Sequence, residues 1–382
     1  MRRLIKFDVI HPRAYLLKQQ AATPEVQDMS LAEYRQWLLN LASNYSDFYT
    51  YYLNRRGEWE AEEYFFGDEL FTRKVAEHLY GRVRARLLER GLHAYRRLTH
   101  RHTAFRDYVV RAYLARRRPH VLFVRSHPQP SAFWQPYRKD ALVVARLSAR
   151  MPRRWHPNDF DLVYTDQPDF KHFFELHGTE TILNDQGFDR RIVDRLVEGN
   201  PSPGVVFVGG LGTQNFLART EFFERIARRT TFTWWGYWWE EGGDGRTLAD
   251  FPGLERGFRG VTSGMEMYQT YYDAAICLND YVDTAGGTGF NQRMFEVMGV
   301  GGFLLTRAAP NFAGTFPEGI FATYTDEEDC LAKIDHYLAR PEERAAIARR
   351  GQAFILEHYT YERIAAEFSA DLLVRLPEGR PR

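Results

Sequence analysis

Short apolar runs alternate with amphipathic segments along most of this chain, and that alternation constrains the fold more than any other feature. LIKFDVI (4–10), HVLFVRS (120–126), DLVYT (161–165) and TETILND (179–185) read as strands in the first half, VVFVGG (205–210), TFTWWG (231–236), AICLND (275–280) and GGFLLT (301–306) in the second. Helical spacing separates them at 169–178, 218–229, 265–274 and 293–300, and helices close the chain at 326–339, 341–357 and 361–376. Repeated strand–helix–strand order implies parallel sheets with crossover helices, an α/β architecture. Ser30-Leu-Ala-Glu33 is a capping-box start for a helix running to about Ser43. At about 150 residues per domain, 382 residues suggest two domains. The alternation restarts after Asn200-Pro-Ser-Pro-Gly204, which reads as a linker. The expected division is 1–199, then 200–360, then a C-terminal helix and tail over 361–382.

Charge excludes some functions and raises another. The net charge of +1 argues against a dedicated nucleic-acid binder. Two cysteines, Cys277 and Cys330, rule out a disulfide framework and a cysteine-based zinc site, which fits a reducing cytoplasmic setting. The opening MRRLIKFDVIHPRAYLL is too interrupted by charge for a signal peptide, and no run approaches the ~20 apolar residues of a membrane span. Residues 82–118 hold twelve arginines against Glu89 and Asp107, a net of +10 that leaves −9 for the rest. These fit helices with basic faces. Such a face is either solvated or peripheral to an anionic membrane or an anionic lipid-linked acceptor.

The most informative segment runs from Asp283 to Thr306, DTAGGTGFNQRMFEVMGVGGFLLT. Three glycines (286, 287, 289) precede a helix, so free backbone N–H groups and a positive dipole end form an anion site suited to a diphosphate. Glu296 follows Asn291 by five residues, and its carboxylate suits two adjacent ribose hydroxyls. A plain glycine-rich turn with a solvent-facing Glu296 is the other reading of the same residues.

The segment resembles the nucleotide-sugar signature of GT-B glycosyltransferases. More narrowly, it is similar to the CgeB-like (spore maturation protein) group with a group-1-type glycosyltransferase C-terminal domain. The family pattern is Glu-Gly-Phe-Gly, four residues, then Glu; here it is Thr288-Gly289-Phe290-Asn291, four residues, Glu296. The resemblance implies that Glu296 binds the ribose. It also puts Thr288 where the family has a glutamate near the donor sugar, which leaves the stereochemical outcome open. Asn184-Asp-Gln-Gly187-Phe-Asp189 resembles the stretch that closes the N-terminal domain, and Val206-Phe-Val-Gly209-Gly210-Leu211 the first strand and loop of the donor domain. The Arg and Lys that the family carries in that loop are missing; Thr213, Gln214 and Asn215 stand there, with Arg219 further on and Arg293 as the expected substitute. Phe258-Arg259-Gly260-Val261 matches the loop whose backbone holds the base.

The resemblance implies a GT-B fold, with two Rossmann-like domains facing a cleft and the C-terminal helix packing back toward the N-terminal domain. The expected nucleotide-sugar site comprises Gly209, Gly210, Tyr237, Arg259, Gly260, Val261, Gly287, Thr288, Gly289, Phe290, Asn291, Arg293 and Glu296. In WWGYWW, Trp234 reads as core, with Tyr237 and Trp238 in the cleft. His127, His11 and Asp8 lie past strand ends and are the acid–base candidates for an acceptor hydroxyl. No metal and no cofactor are expected, the nucleoside diphosphate sugar being a substrate. Partners would be that donor and a glycan, lipid-linked saccharide or protein acceptor, with no nucleic acid. A nucleotide-sugar epimerase of the same fold, or a non-catalytic glycan-binding descendant, are the alternatives.

Overall fold

The computed structural model describes residues 1–43, 46–99, 104–125, 129–148, 154–199, 201–214, 216–239, 243–281 and 289–376. These form two units, one of residues 1–185 with 364 onward, the other of residues 186–363.

In the first unit the elements run β1 (Arg2–Asp8), α1 (Arg13–Ala22), α2 (Leu31–Asn40), α3 (Thr50–Arg55), β2 (Trp59–Phe65), α4 (Glu69–Tyr80), α5 (Arg82–Thr99), α6 (Ala104–Arg117), β3 (Val121–Arg125), β4 (Leu142–Leu147), β5 (Leu162–Thr165), α7 (Pro168–Leu176) and β6 (Glu180–Leu183). All six strands pair in parallel, in the order β2-β1-β3-β4-β5-β6. A parallel sheet covered on both faces calls for continuous apolar strands, and Leu4, Ile5, Phe7, Val121–Val124 and Val143–Ala145 are buried accordingly. The Ser30–Glu33 capping box forms as expected at the start of α2.

Charges inside this sheet are matched across strands. Lys6, fully buried in β1, reaches Glu63 on the neighbouring β2 at 2.8 Å, the backbone oxygen of Ser46 at 2.6 Å and Asp8 at 3.2 Å. Thr50 completes the cluster by donating to Glu63 at 2.8 Å. A buried ammonium without such partners would carry a desolvation cost of several kcal/mol.

The second unit runs β7 (Ser202–Val208), β8 (Leu211–Gly212), α8 (Leu217–Arg229), β9 (Phe232–Trp235), β10 (Trp238–Trp239), α9 (Pro252–Gly257), α10 (Gly264–Asp273), β11 (Ala274–Asn279), α11 (Gln292–Gly299), β12 (Leu304–Arg307), β13 (Ala322–Tyr324), α12 (Glu327–Leu338) and α13 (Pro341–His358). Its parallel sheet has the order β13-β12-β11-β7-β9, and β8 and β10 form a separate pair. Val205, Phe207, Trp234, Ile276, Leu278 and Leu305 make its core with Phe223 and Ile226 of α8. The last helix, α14 (Tyr361–Arg375), returns to the first unit from Ile364 onward. There Ser369 accepts from the Trp59 indole at 2.8 Å, Asp371 accepts from Tyr164 at 3.0 Å, and Phe368 packs on Phe123 at 4.7 Å.

Two expectations about domain limits are corrected. The division falls between Asp185 and Gln186, not at 199/200. Phe188 explains the shift: it exchanges backbone hydrogen bonds with Tyr359 and Tyr361 and packs against Gly299, all within the second unit. The Pro/Gly stretch at 201–204 is not a linker, because Ser202 already begins β7. Gly204 stands where the neighbouring strand passes closely, and a Cβ there would collide with the Thr231 carbonyl oxygen. Gly204→Ala should therefore destabilise by about 1–3 kcal/mol through overpacking. Urea unfolding measures this, and an unchanged midpoint would contradict the close approach.

Candidate functional site

The carboxyl ends of the parallel strands in the second unit collect the polar residues that the sequence singled out. Ligands of open α/β sheets bind at this edge. β7 ends at Val208 and continues as Gly209-Gly210. Gly209 donates its N–H to Trp235 of β9 at 2.9 Å, and Leu211 donates to Tyr237 at 3.0 Å. The chain is thus held flat against the end of β9. No side chain fits at either glycine: a Cβ on Gly209 would meet the Arg293 guanidinium, and one on Gly210 would lie 2.8 Å from the Tyr237 ring. Gly209, Gly210, Tyr237 and Arg293 are therefore neighbours.

Arg293 lies in the first turn of α11. Its Nε donates to the Val208 carbonyl at 2.8 Å, its Nη1 to Asn279 Oδ1 at 2.5 Å, and its guanidinium sits 4.4 Å from the Phe207 ring centre. Asn279, the last residue of β11, is fully buried and joins three elements. It donates to Thr306 of β12 at 2.9 Å and accepts from Asn291 at 3.0 Å as well as from Arg293. Asn291 caps α11 by accepting from the Met294 N–H at 3.3 Å. One polar side chain at a strand end thus fixes both the start of α11 and the arginine on it.

A second arginine reaches the same loop from α8. Arg219 is only 5% exposed; it donates to the carbonyls of Gly210 and Asp280 and lies 5.4 Å from the Phe207 ring centre. Phe207 thus has two guanidinium groups within cation–π range. A third, Arg307 at the end of β12, is committed to Asp280 by a bidentate pair at 2.8 Å. Burial pushes the Tyr237 hydroxyl up, and the charges of Arg219 and Arg293 oppose that rise. At this edge Arg219 and Arg293 both donate to backbone carbonyls of the strand ends and the loops that follow them.

Glu296 lies one turn after Arg293 on α11 and is half-buried. Burial pushes its carboxyl up to about 7, against the pull of Arg293 and a hydrogen bond from Gln292. Burial, and to a lesser degree the charge of Glu296, pushes the Tyr268 and Tyr271 hydroxyls of α10 up. The side chain is not fully solvent-facing.

The segment after α9 also lies at this edge. Gly260 accepts from the Gly236 N–H at 2.9 Å, and Arg259 donates its N–H to the Trp234 carbonyl at 2.9 Å. Gly260 has a φ of +87°, in the left-handed region that favours glycine. Val261 follows it, half-buried.

Several of the other expected site residues have their own partners in the fold. The Arg259 guanidinium is exposed and folds back on the carbonyls of Arg256 and Phe258, so only its backbone is at the edge. Gly289 spends its N–H on Asn311 Oδ1 at 2.8 Å and is not a free anion donor. Phe290 packs with Phe312 and Phe316 in an aromatic cluster. Trp234 is core as expected, but Trp238 packs on Phe251 against that same core. Gly287 and Thr288 lie outside the described residues, as does His127. In the first unit Asp8 ends β1 and is ion-paired with Lys6, while His11 sits in the exposed bend beyond it. Asn279 and Arg307 were not singled out from the sequence. A lone polar residue closing the apolar run AICLN was the available signal for Asn279.

Residues 219–370 match a family model described as glycosyl transferase-like. Among curated proteins none matches the sequence. Among solved structures, Anabaena HepE in complex with UDP-glucose is similar with a TM-score of 0.56 at 12% identity, over 98% of this chain and 100% of that one. The sucrose-phosphate synthase of Thermosynechococcus elongatus is similar with a TM-score of 0.53 at 12% identity, over 98% and 99% of the two chains. The N-terminal domain of Candida albicans trehalose-6-phosphate phosphatase follows with a TM-score of 0.51 at 10% identity, over 98% and 97%. The chain has the GT-B fold, and its second unit with the last helix carries the glycosyl transferase-like region.

Proposed function

We propose that this protein is a glycosyltransferase that moves a sugar from a nucleoside diphosphate sugar to a glycan, a lipid-linked saccharide or a protein, and that it belongs with the CgeB-like group. The observation that carries the reading is the arrangement at the end of β7: Arg293 over Phe207, with Glu296 one turn behind it on the same helix. In this reading Arg293 pairs with the diphosphate, Glu296 accepts from the ribose hydroxyls, and the backbone at 259–261 lies against the base.

The chemistry asked of these residues is electrostatic. As the sugar–phosphate bond breaks, negative charge grows on the leaving diphosphate, and a guanidinium already held in place stabilises it without reorganisation. The bonds from Arg293 to Val208 and Asn279 supply that preorganisation. Glu296 acts as a binding group. HepE was solved with UDP and with UDP-glucose, which supports a uridine nucleotide as the first donor to try.

The test is a thermal-shift panel of nucleoside diphosphates and their sugars on the whole protein. One base and one sugar should raise the melting midpoint clearly above the others. A flat response across the panel would remove the donor-site reading.

A further inference from the structure

We propose that the outer face of α5 docks on an anionic lipid bilayer. A helix that only packs on its own domain needs a single apolar stripe, and α5 has that stripe in Ala85, Leu88 and Leu92, spaced i, i+3, i+7 and turned inward. At 3.6 residues per turn the opposite side is centred on Val83, Leu87, Arg90 and Ala94. All four are exposed, Val83 at 73% and Leu87 at 63%. The fold gains nothing from these two large apolar side chains in water.

The exposed charges of α5 itself are of one sign. Arg82, Arg84, Arg86, Arg90 and Arg97 of α5 are all exposed. The one acid in this helix, Glu89, is turned inward and held by Arg73 through two hydrogen bonds of 3.1 Å. No acid stands in the first turn, where the helix dipole would favour one and where Arg82 and Arg84 stand instead. A layer of phosphate headgroups complements both the arginines and that dipole end. Apolar side chains set among arginines match the headgroup–acyl boundary, where the arginines meet phosphates and Val83 and Leu87 enter the acyl region. Among the described residues no helix is long and apolar enough to cross a membrane, so the contact is peripheral.

The experiment is co-sedimentation of the whole protein with vesicles of phosphatidylcholine alone and of phosphatidylcholine doped with phosphatidylglycerol, with a single-stranded RNA in parallel. Binding is expected to the anionic vesicles only, and to disappear at high salt. The double variant Arg86→Gln/Arg90→Gln should weaken it about thirtyfold, and Val83→Ser/Leu87→Ser about tenfold or more. All four positions are exposed, so the thermal midpoint of each variant should match the parent. Equal binding to neutral and anionic vesicles, or no loss in the Val83/Leu87 variant, would overturn the proposal. So would tighter binding to RNA than to vesicles.

Discussion

Replacing Arg293 with methionine is expected to weaken binding of the nucleoside diphosphate selected in the thermal-shift panel about a hundredfold. The estimate follows from charge-assisted hydrogen bonds of ~1.5–3 kcal/mol each, at roughly 1.4 kcal/mol per decade. Methionine keeps the unbranched stem over Phe207 and removes the charge and the donors. The substitution also frees the Val208 carbonyl and one acceptor position of Asn279, so the loop after β7 loses its tie to α11. Arg293→Lys separates the two contributions. It restores a charge but cannot donate to Val208 and Asn279 from one planar group, so it should recover part of the affinity and little of the turnover. Isothermal calorimetry reads the affinity; equal dissociation constants for the parent and Arg293→Met would remove Arg293 from the diphosphate.

The second large effect belongs to Glu296→Gln, and its sign differs between stability and binding. The Glu296 carboxyl titrates near 4.5 when unfolded and is pushed up to about 7 in the fold by burial. Between those values the folded state binds the proton more tightly, so this group's contribution to stability is complete below about pH 4.5 and is lost as pH rises through about 7. Glutamine does not ionise. Without nucleotide, Glu296→Gln should therefore melt several degrees higher than the parent at pH 8, with the difference shrinking toward pH 5. Nucleotide binding should move the other way. The ionised carboxylate is the stronger acceptor for two hydroxyls, so at pH 8 the variant should bind about tenfold or more weakly, and the gap should narrow below pH 7. A stability gain with unchanged affinity would leave Glu296 buried but outside the ribose site. Parallel melting curves at all pH values would contradict the burial itself.

Much of the second unit was legible because its signals are local. Asn291, Arg293 and Glu296 lie within six residues of one another, so helical periodicity alone puts the cap, the cation and the carboxylate on one short helix. The glycine pair at 209–210 announces a strand end that tolerates no side chain. β2 was less visible. WEAEEYF carries three glutamates, which is not the apolar run expected of a parallel strand. Each is answered from a distance: Glu60 by Arg117, Glu62 by Arg117 and Arg35, Glu63 by Lys6. Those partners lie 27 to 57 residues away, beyond the reach of any local pattern. The domain division was missed for a similar reason. Composition pointed to the prolines at 201 and 203, but the backbone exchange of Phe188 with Tyr359 and Tyr361 sets the boundary.

The sequence by itself determined the α/β class, the two parallel sheets, the carboxylate and arginine of α11, and the basic character of α5, because each is written in spacing over a few turns or one strand. Tertiary structure alone decided which charges are bound within the protein and which face outward. Lys6 interrupts an apolar strand and proves to be the centre of a buried cluster; Glu89 lies among arginines yet is turned inward to Arg73; Asn279 looks like the end of a strand and holds α11 in place. In each case a partner lies on another element of the fold. The energetic meaning of a polar side chain depends on that partner and on its burial, and neither is set by the residues beside it.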